Sequence, residues 1–453
     1  MQNKKSFIEY FKKLYQSKSL SLITSKVLPA LGIFISIPLI NNYLDPSEAG
    51  LAFSLLAVIS TQALFDTGTS FAVAQQISKV LGKNYKYINL ENNIKNDSSI
   101  KKSLFESGSW YRISIPLCFI FNFLFGYFIF LNSELNFSFL YWWFISSIFI
   151  SAYLINLFAC GILDGFQRLR SSSLIKSLYI FSFWFFLDLS LINGLTIKSL
   201  YFAFIFSFFT SSIILFFVSS SSLKASYKYI FRINLNLDAY KKQNTNLQFK
   251  KFQRRLSISW LSGYISFQLV VPIAYILINP SSAAVLGSLL QYTSGISSLS
   301  LSPLMANAPK MGQLQSKKLF QQTKSLYFRR FTIALIIYFT SIFIFIFLIK
   351  NNFFFTSFKY GVDFSWFEFN LLISFITINF ISSCFAILLR SSAEEPLLIA
   401  SILQAIVTII LLPFFAKYFK FVGINSSLLI SALPSFFLIS KLFLIKLRSL
   451  EKI

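Results

Sequence analysis

Histidine is absent from this 453-residue chain, and acids are scarce, 16 Asp and Glu against 41 Lys and Arg. Without an imidazole there is no histidine general acid or base and no histidine metal ligand. Cysteine occurs three times, at Cys118, Cys160 and Cys384, each inside an apolar run. Such placement reads as small buried hydrophobes, with no disulfide indicated. No Walker A sequence occurs, which argues against direct drive by ATP, and no cofactor or metal is expected. The first residues, MQNKKSFIEYFKKLYQSKS, contain no apolar stretch of the kind a cleavable signal peptide needs, so they read as a basic lead-in.

What the chain has in abundance is apolar length. Hydrophobic residues make up 55%, Phe alone occurs 58 times, and the mean hydropathy is +0.65. Apolar runs of about 20 residues match the bilayer hydrocarbon at 1.5 Å per helical residue. Twelve spans are predicted, at 21–41, 50–78, 111–131, 138–161, 172–192, 199–218, 257–278, 284–308, 331–349, 367–389, 396–416 and 425–445. The fold class is therefore an all-α polytopic membrane protein. The net charge of +25 is a topology signal in this setting and not a nucleic-acid footprint. With the N-terminus in the cytoplasm, 36 of the 41 basic residues fall in or beside cytoplasmic segments, leaving Lys198, Lys350, Lys359, Lys417 and Lys420 outside. Both termini are expected inside, in a cell inner (plasma) membrane.

The chain also repeats itself. PLINNYLDPSEAG from Pro38 returns 234 residues later as PIAYILINPSSAA from Pro272. At that shift, ten of 37 positions are identical, including Pro46 with Pro280, Ser54-Leu55-Leu56 with Ser288-Leu289-Leu290, and Ser60 with Ser294. Six spans separate the copies, an even number, so two like-oriented halves are expected about an axis along the membrane normal. The predicted organisation is a six-helix lobe at 1–218, a basic cytoplasmic linker at 219–256 with nine Lys or Arg and one acid (Asp238), and a second six-helix lobe at 257–453. In the shift, FDTGTS in span two faces LSLSPL in span eight, so Gly68 and Pro303 are predicted to interrupt their helices at matching depth. Paired interruptions of this kind point to a transport site in a central cavity.

On NNYLDPSEAGLAF (41–53), LFDTGTSFAVAQQIS (64–78) and GILDGFQRLR (161–170), the chain resembles the MOP exporter superfamily, and within it the flippases of lipid-linked oligosaccharides for O-antigen and related polysaccharides. The resemblance spans essentially the whole chain. It implies a central cavity opening alternately to either side and a polyprenyl-diphosphate-linked glycan as substrate. Where many relatives carry a basic residue near positions 42 and 75–76, this chain has Asn42, Gln75 and Gln76.

Asp66 stands out, because a carboxylate within a span costs about 2.5–3.5 kcal/mol on insertion scales and so faces a cavity or a partner. Either it couples H+ or Na+ or orients substrate hydroxyls, or it caps the helix beside the Gly68 break. Asp188 is expected to reach interfacial water from the outer end of span five, and Glu394-Glu395 to form a loop and cap before Pro396. Gln62, Thr69, Gln268, Gln291 and Ser298, with Ser294 and Ser297 nearby, either line the cavity for sugar recognition or join helices by hydrogen bonds. Lys26, Arg112, Arg168, Arg170, Arg329 and Arg330 sit at cytoplasmic span ends, where they either attract a lipid diphosphate or simply set topology.

The leading expectation is a flippase, not an enzyme, that works among membrane lipids and in association with polysaccharide polymerase machinery. Two alternatives stand beside it. One is an ion-coupled multidrug or cation antiporter of the same superfamily. The other is a membrane polysaccharide polymerase or ligase, disfavoured because the external connections are short.

Overall fold

The computed structural model describes residues 18–84, 98–131, 138–233, 247–351, 365–391 and 395–451. Fourteen helical segments follow one another: α1 Lys18–Tyr43, α2 Pro46–Ile59, α3 Thr61–Asp66, α4 Thr69–Asn84, α5 Ser98–Leu131, α6 Ser138–Gly165, α7 Leu169–Ile192, α8 Lys198–Phe231, α9 Leu247–Phe267, α10 Val270–Leu277, α11 Pro280–Ser316, α12 Phe320–Lys350, α13 Trp366–Arg390 and α14 Leu398–Glu451. No strand occurs among the described residues.

These segments make twelve crossings. Segments α2, α3 and α4 form one broken span, and α9 with α10 another. The 54 residues of α14 would reach about 81 Å if straight, far beyond a bilayer. Instead the backbone leaves the helix at Lys420 (φ 50°, ψ −127°) and turns back. The backbone of Gly423 consequently lies against the carbonyl of Phe415, eight residues earlier. Nine described stretches are long and apolar enough to cross a membrane, and the α14 stretch counts twice. The remaining two crossings are α1 and α11. Segment α11 carries Gln291, Ser294, Ser297 and Ser298, too polar for a lipid-facing helix, and it is enclosed by α1, α2, α12 and α13.

Twelve crossings return the chain to its starting side. The side holding Lys18 and Glu451 is termed the terminal face, and the opposite side the loop face. Each lobe repeats the same packing: α1 lies on α7 as α9 lies on α14, and α6 lies on α8 as α13 lies on α14. The repeat read from sequence is thus a repeat of structure. Both copies open a helix on their proline, Pro46 and Pro280. Asn279 caps the second through its Oδ1, which accepts from Ser282 N at 2.7 Å.

The stretch read as a linker holds helical structure, and one expectation needs correction. The stretch 219–256 is largely helical: α8 continues through a kink at Ser219 to Phe231, and α9 begins at Leu247, so only 234–246, with Asp238, lies outside the described residues. Pro303 does not interrupt α11, which runs unbroken from Pro280 to Ser316. The carbonyl left without a donor by Pro303 is that of Leu299, and Ser302 Oγ donates to it at 2.6 Å. Asn307 Nδ2 donates to the Pro303 carbonyl at 2.8 Å. The Ser302 hydroxyl thereby fills the gap. The second lobe breaks one span earlier, at Gln268-Leu269 between α9 and α10. Pro272 explains the place: its ring opposes the carbonyl of Gln268, four residues back, and it offers no N–H in return.

Candidate functional site: a broken helix between two seams

The two lobes touch along two seams. At the loop face, α2 and α10 pack together, and α11 packs on both α1 and α2. Here the two repeat copies meet each other. Gly50 lies directly on the carbonyl of Pro280, and Gly287 lies on the ring of Phe53; a side chain at either glycine would collide. The buried core around this seam is apolar, drawing Ile37, Leu51 and Phe53 together with Ala283, Leu286 and Leu289. A polar link crosses it, between Asn41 and Ser288 at 3.3 Å.

The second seam lies near the terminal face. There the chain passes Thr67 (φ 50°) and Gly68 (φ 67°), both left-handed, which ends α3 and starts α4. Gly68 is demanded twice, by its positive φ and by Leu256 and Trp260 of α9 packed against it. Gln253 Nε2 of α9 donates to Thr69 Oγ1 at 2.8 Å, and Ser257 Oγ donates to the Thr67 carbonyl at 3.3 Å. A broken helix exposes backbone polar groups that an intact helix would satisfy internally. At Thr67 the other lobe satisfies one of them.

Asp66 immediately precedes this break and is only 3% exposed. Its Oδ2 accepts from Ser70 Oγ at 2.8 Å, in the first turn of α4. Its Oδ1 accepts from the phenol of Tyr111 on α5. The carboxylate thus braces the start of α4 and ties span two to span three. Twenty residues separate Asp66 from Pro46 at the loop face, and twenty separate Tyr111 from Leu131, about 30 Å along each helix, which is the full hydrocarbon thickness. The pair sits at the terminal-side boundary of the membrane.

Around Asp66 the first lobe holds a buried polar core. Thr61 Oγ1 donates to Asn122 Oδ1 at 2.5 Å, and Gln62 Nε2 donates to the Ile150 carbonyl at 2.8 Å and the Tyr179 hydroxyl at 3.2 Å. Gln62 therefore joins helices inside the lobe. Thr69 is buried in the terminal seam. By contrast, Gln268, Gln291 and Ser298 are half-buried and Ser294 is exposed. They lie between the depths of the two seams, with Gln291, Ser294 and Ser298 on one face of α11.

The basic residues do not form one cluster. Arg112 is exposed on α5, and Arg168 and Arg170 are exposed at the α6–α7 turn, all in the first lobe. Arg329 is exposed and Arg330 half-buried on α12, which packs mainly on α11 and α14 in the second. Lys26 stands on α1 outside the residues whose side chains are described. Glu394 lies outside the described residues. Glu395 is no exposed loop acid: it is fully buried and grips Arg390 at 2.8 and 2.9 Å, with Ser259 of α9 added at 3.1 Å.

Asp188 is half-buried on α7. It lies beside Ser36 of α1. Neither its Oδ1 nor Ser36 Oγ has a hydrogen-bond partner of ordinary geometry, and both atoms are shielded. A second carboxylate therefore faces the helix that borders the lobe interface. Only the length of the FWFFLDLSLI stretch before the loop hinted at this, since three residues more would have reached the boundary.

The whole architecture matches solved transporters. An inward-facing multidrug resistance MATE family transporter of the MOP superfamily superposes with a TM-score of 0.64 over 96% of this chain and 99% of its own, at 13% identity. A MATE protein in a bent conformation gives 0.61 at 14% identity, over 97% of this chain and 96% of its own. A MOP superfamily transporter from Pyrococcus furiosus, described as having a binding pocket of reversed polarity, gives 0.60 at 15% identity, over 97% and 98%. Likeness at such identities establishes the fold, a multi-pass helical bundle of the MOP type. No protein-family model and no curated protein matches the sequence.

Proposed function

We propose that this chain is an alternating-access membrane transporter whose cycle is driven by an ion gradient through Asp66. One observation carries the reading: a buried carboxylate and a contact between the lobes share a single broken turn. Ionised Asp66 accepts two hydroxyl hydrogen bonds, from Ser70 and Tyr111. Hydrogen bonds to a charged acceptor are about twice as strong as neutral ones. Neutralising Asp66 by H+, or screening it with Na+, loosens Ser70 and the first turn of α4. That turn includes Thr69, which Gln253 of the other lobe holds. Charge at residue 66 thus sets the grip of the terminal seam, while the loop seam is closed chiefly by apolar packing. The termini then lie on the cytoplasmic side of the plasma membrane, in keeping with the basic excess.

The neighbours' names support small-molecule export, the activity of an ion-coupled multidrug antiporter. A second reading is favoured by the groups between the seams. Gln268, Gln291, Ser294 and Ser298 are neutral hydrogen-bonding groups suited to sugars, and an organic cation would call for an acid among them. This supports flipping of a polyprenyl-diphosphate-linked oligosaccharide from the cytoplasmic to the outer leaflet for O-antigen or polysaccharide synthesis, with Arg112, Arg168, Arg170, Arg329 and Arg330 drawing the diphosphate. Such a flippase would work beside a polysaccharide polymerase.

The test uses the full chain in proteoliposomes under an imposed proton or sodium gradient, with either a fluorescent organic cation or a fluorescent polyprenyl-diphosphate glycan as cargo. The cargo that moves in a gradient-dependent way selects between the readings. Asp66→Asn is expected to abolish gradient-dependent movement at unchanged expression. Undiminished gradient-driven transport by Asp66→Asn would overturn the coupling role.

A further inference from the structure

Segment α8 is longer than a bilayer is thick. From Lys198 to Val218 it covers about 30 Å, the hydrocarbon thickness, and at Ser219 it bends (φ −159°, ψ 75°) before running on to Phe231. Beyond the bend one face is buried through Ser222, Ala225, Ser226, Tyr229 and Ile230, and Gly108 of α5 lies against the Tyr229 carbonyl. The opposite face is exposed and carries Lys224, Tyr227 and Lys228. A crevice of about 380 Å³ opens there, with Phe216, Leu223 and Ile233 as its apolar wall and the two lysines and Tyr227 at its rim. Phe217, beside it, is 80% exposed on the side where acyl chains run.

Two lysines four residues apart on one helical face repel each other unless an anion lies between them. One turn to either side stand Ser220, Ser221, Phe231 and Arg232, so the helix supplies no acid. The described ion pairs involve Lys176 with Asp164 and Arg390 with Glu395, and neither includes these lysines. The crevice therefore offers two ammonium groups at the membrane boundary directly above an apolar wall. A ligand with a phosphate at one end and an acyl chain at the other fits both parts, whereas free phosphate fits only one. We infer that this crevice binds one anionic glycerophospholipid of the terminal-face leaflet, with its phosphate between Lys224 and Lys228 and the upper part of one chain on Phe216 and Leu223. The site is separate from the lobe seams and does not depend on the transport reading.

Native mass spectrometry of the full chain in detergent, titrated with phosphatidylglycerol or with phosphatidylcholine of the same chains, tests it. One phosphatidylglycerol is expected to bind at least tenfold more tightly than phosphatidylcholine. K224Q/K228Q should reduce that preference to near unity, and Leu223→Trp, which fills the crevice and keeps both charges, should weaken binding similarly. K310Q/K317Q, which removes the same charge from exposed positions on α11 and its following turn, should retain the preference. Thermal unfolding in detergent verifies that each variant is folded. Three results would each overturn the inference: equal loss in K310Q/K317Q, unchanged binding in Leu223→Trp, or displacement of the lipid by millimolar inorganic phosphate.

Discussion

Replacing Gly50 by Ala puts one methyl group where the two repeat copies touch. Its Cβ would lie 2.9 Å from the carbonyl carbon of Pro280 and 3.0 Å from its Cα, nearer still to the oxygen, where ordinary contacts begin at 3.4 Å. No rotamer relieves this, because the obstacle is backbone, so α2 and α11 must separate by several tenths of an ångström or more. Overpacking of this kind costs about 1–3 kcal/mol. If the loop seam closes in one half of an alternating cycle and opens in the other, the cost falls on the closed form alone. A bias of that size shifts the two populations by about 5- to 150-fold toward the open form.

Spin labels at Tyr43→Cys and Leu277→Cys report the opening, since both residues are exposed beside the seam and the three native cysteines are buried. Double electron–electron resonance should show a longer distance gaining population in Gly50→Ala. Gly263→Ala is the internal control: its Cβ would meet nothing within 4 Å, and a helical Gly-to-Ala change favours the helix by about 1 kcal/mol. It should leave the distances unchanged. An unaltered distribution in Gly50→Ala, combined with lowered thermal stability, would mean that the strain is absorbed within one lobe, and the moving-seam argument would fail.

Gly68→Ala should destabilise by about 1–2 kcal/mol, since its φ of 67° disfavours a side chain and Leu256 occupies the space; Leu256→Ala should recover the steric part in a thermal-unfolding comparison. Glu395→Ala should cost about 1–3 kcal/mol, below the value for a fully buried pair because the Arg390 side chain is 35% exposed and can hydrate its charge. The double variant Arg390→Met, Glu395→Met should lose less than Glu395→Ala alone. A double variant that loses more would show that the pair, and not the stranded arginine, supplies the stability.

The twelve crossings were legible because lipid leaves helices no other way to satisfy their backbones, so apolar length translates directly into spans. Pro46 and Pro280 were legible too, since a proline that opens a helix needs no donor. Gly68 announced its break because a left-handed turn needs glycine. The prolines inside helices were not legible in the same way. Pro303 and Pro272 look alike in sequence, yet Ser302 sits where its side chain can mend the first. Pro272 breaks its span at Gln268, while its repeat partner Pro38 leaves α1 continuous. Whether a proline interrupts a helix is decided by hydroxyls within a turn of it, and by what packs alongside. Burial of Glu395 was hidden for a related reason: the acid is enclosed with Arg390 and with Ser259 from a distant segment, which no local pattern reveals.

If the protein moves cargo by an ion gradient, as proposed, the depth of Asp66 decides how cargo and ion share it. A carboxylate at the midplane would compete with cargo for one cavity, so every substitution there would disturb both. Here the acid sits at the terminal boundary, while Gln291 lies eleven residues from Pro280, about 16 Å from the loop face along α11. Gln291→Leu removes an amide from the half-buried stripe without touching the broken turn. It is expected to weaken cargo affinity about 5- to 10-fold, the loss of one net hydrogen bond of about 1–1.5 kcal/mol, while the dependence of transport on the imposed gradient keeps its form. Asp66→Asn is expected to do the reverse, leaving cargo binding near its original strength in an equilibrium assay while the gradient loses its effect. If both substitutions change affinity and gradient dependence together, ion and cargo occupy one site, and the separation drawn from helix depth is wrong.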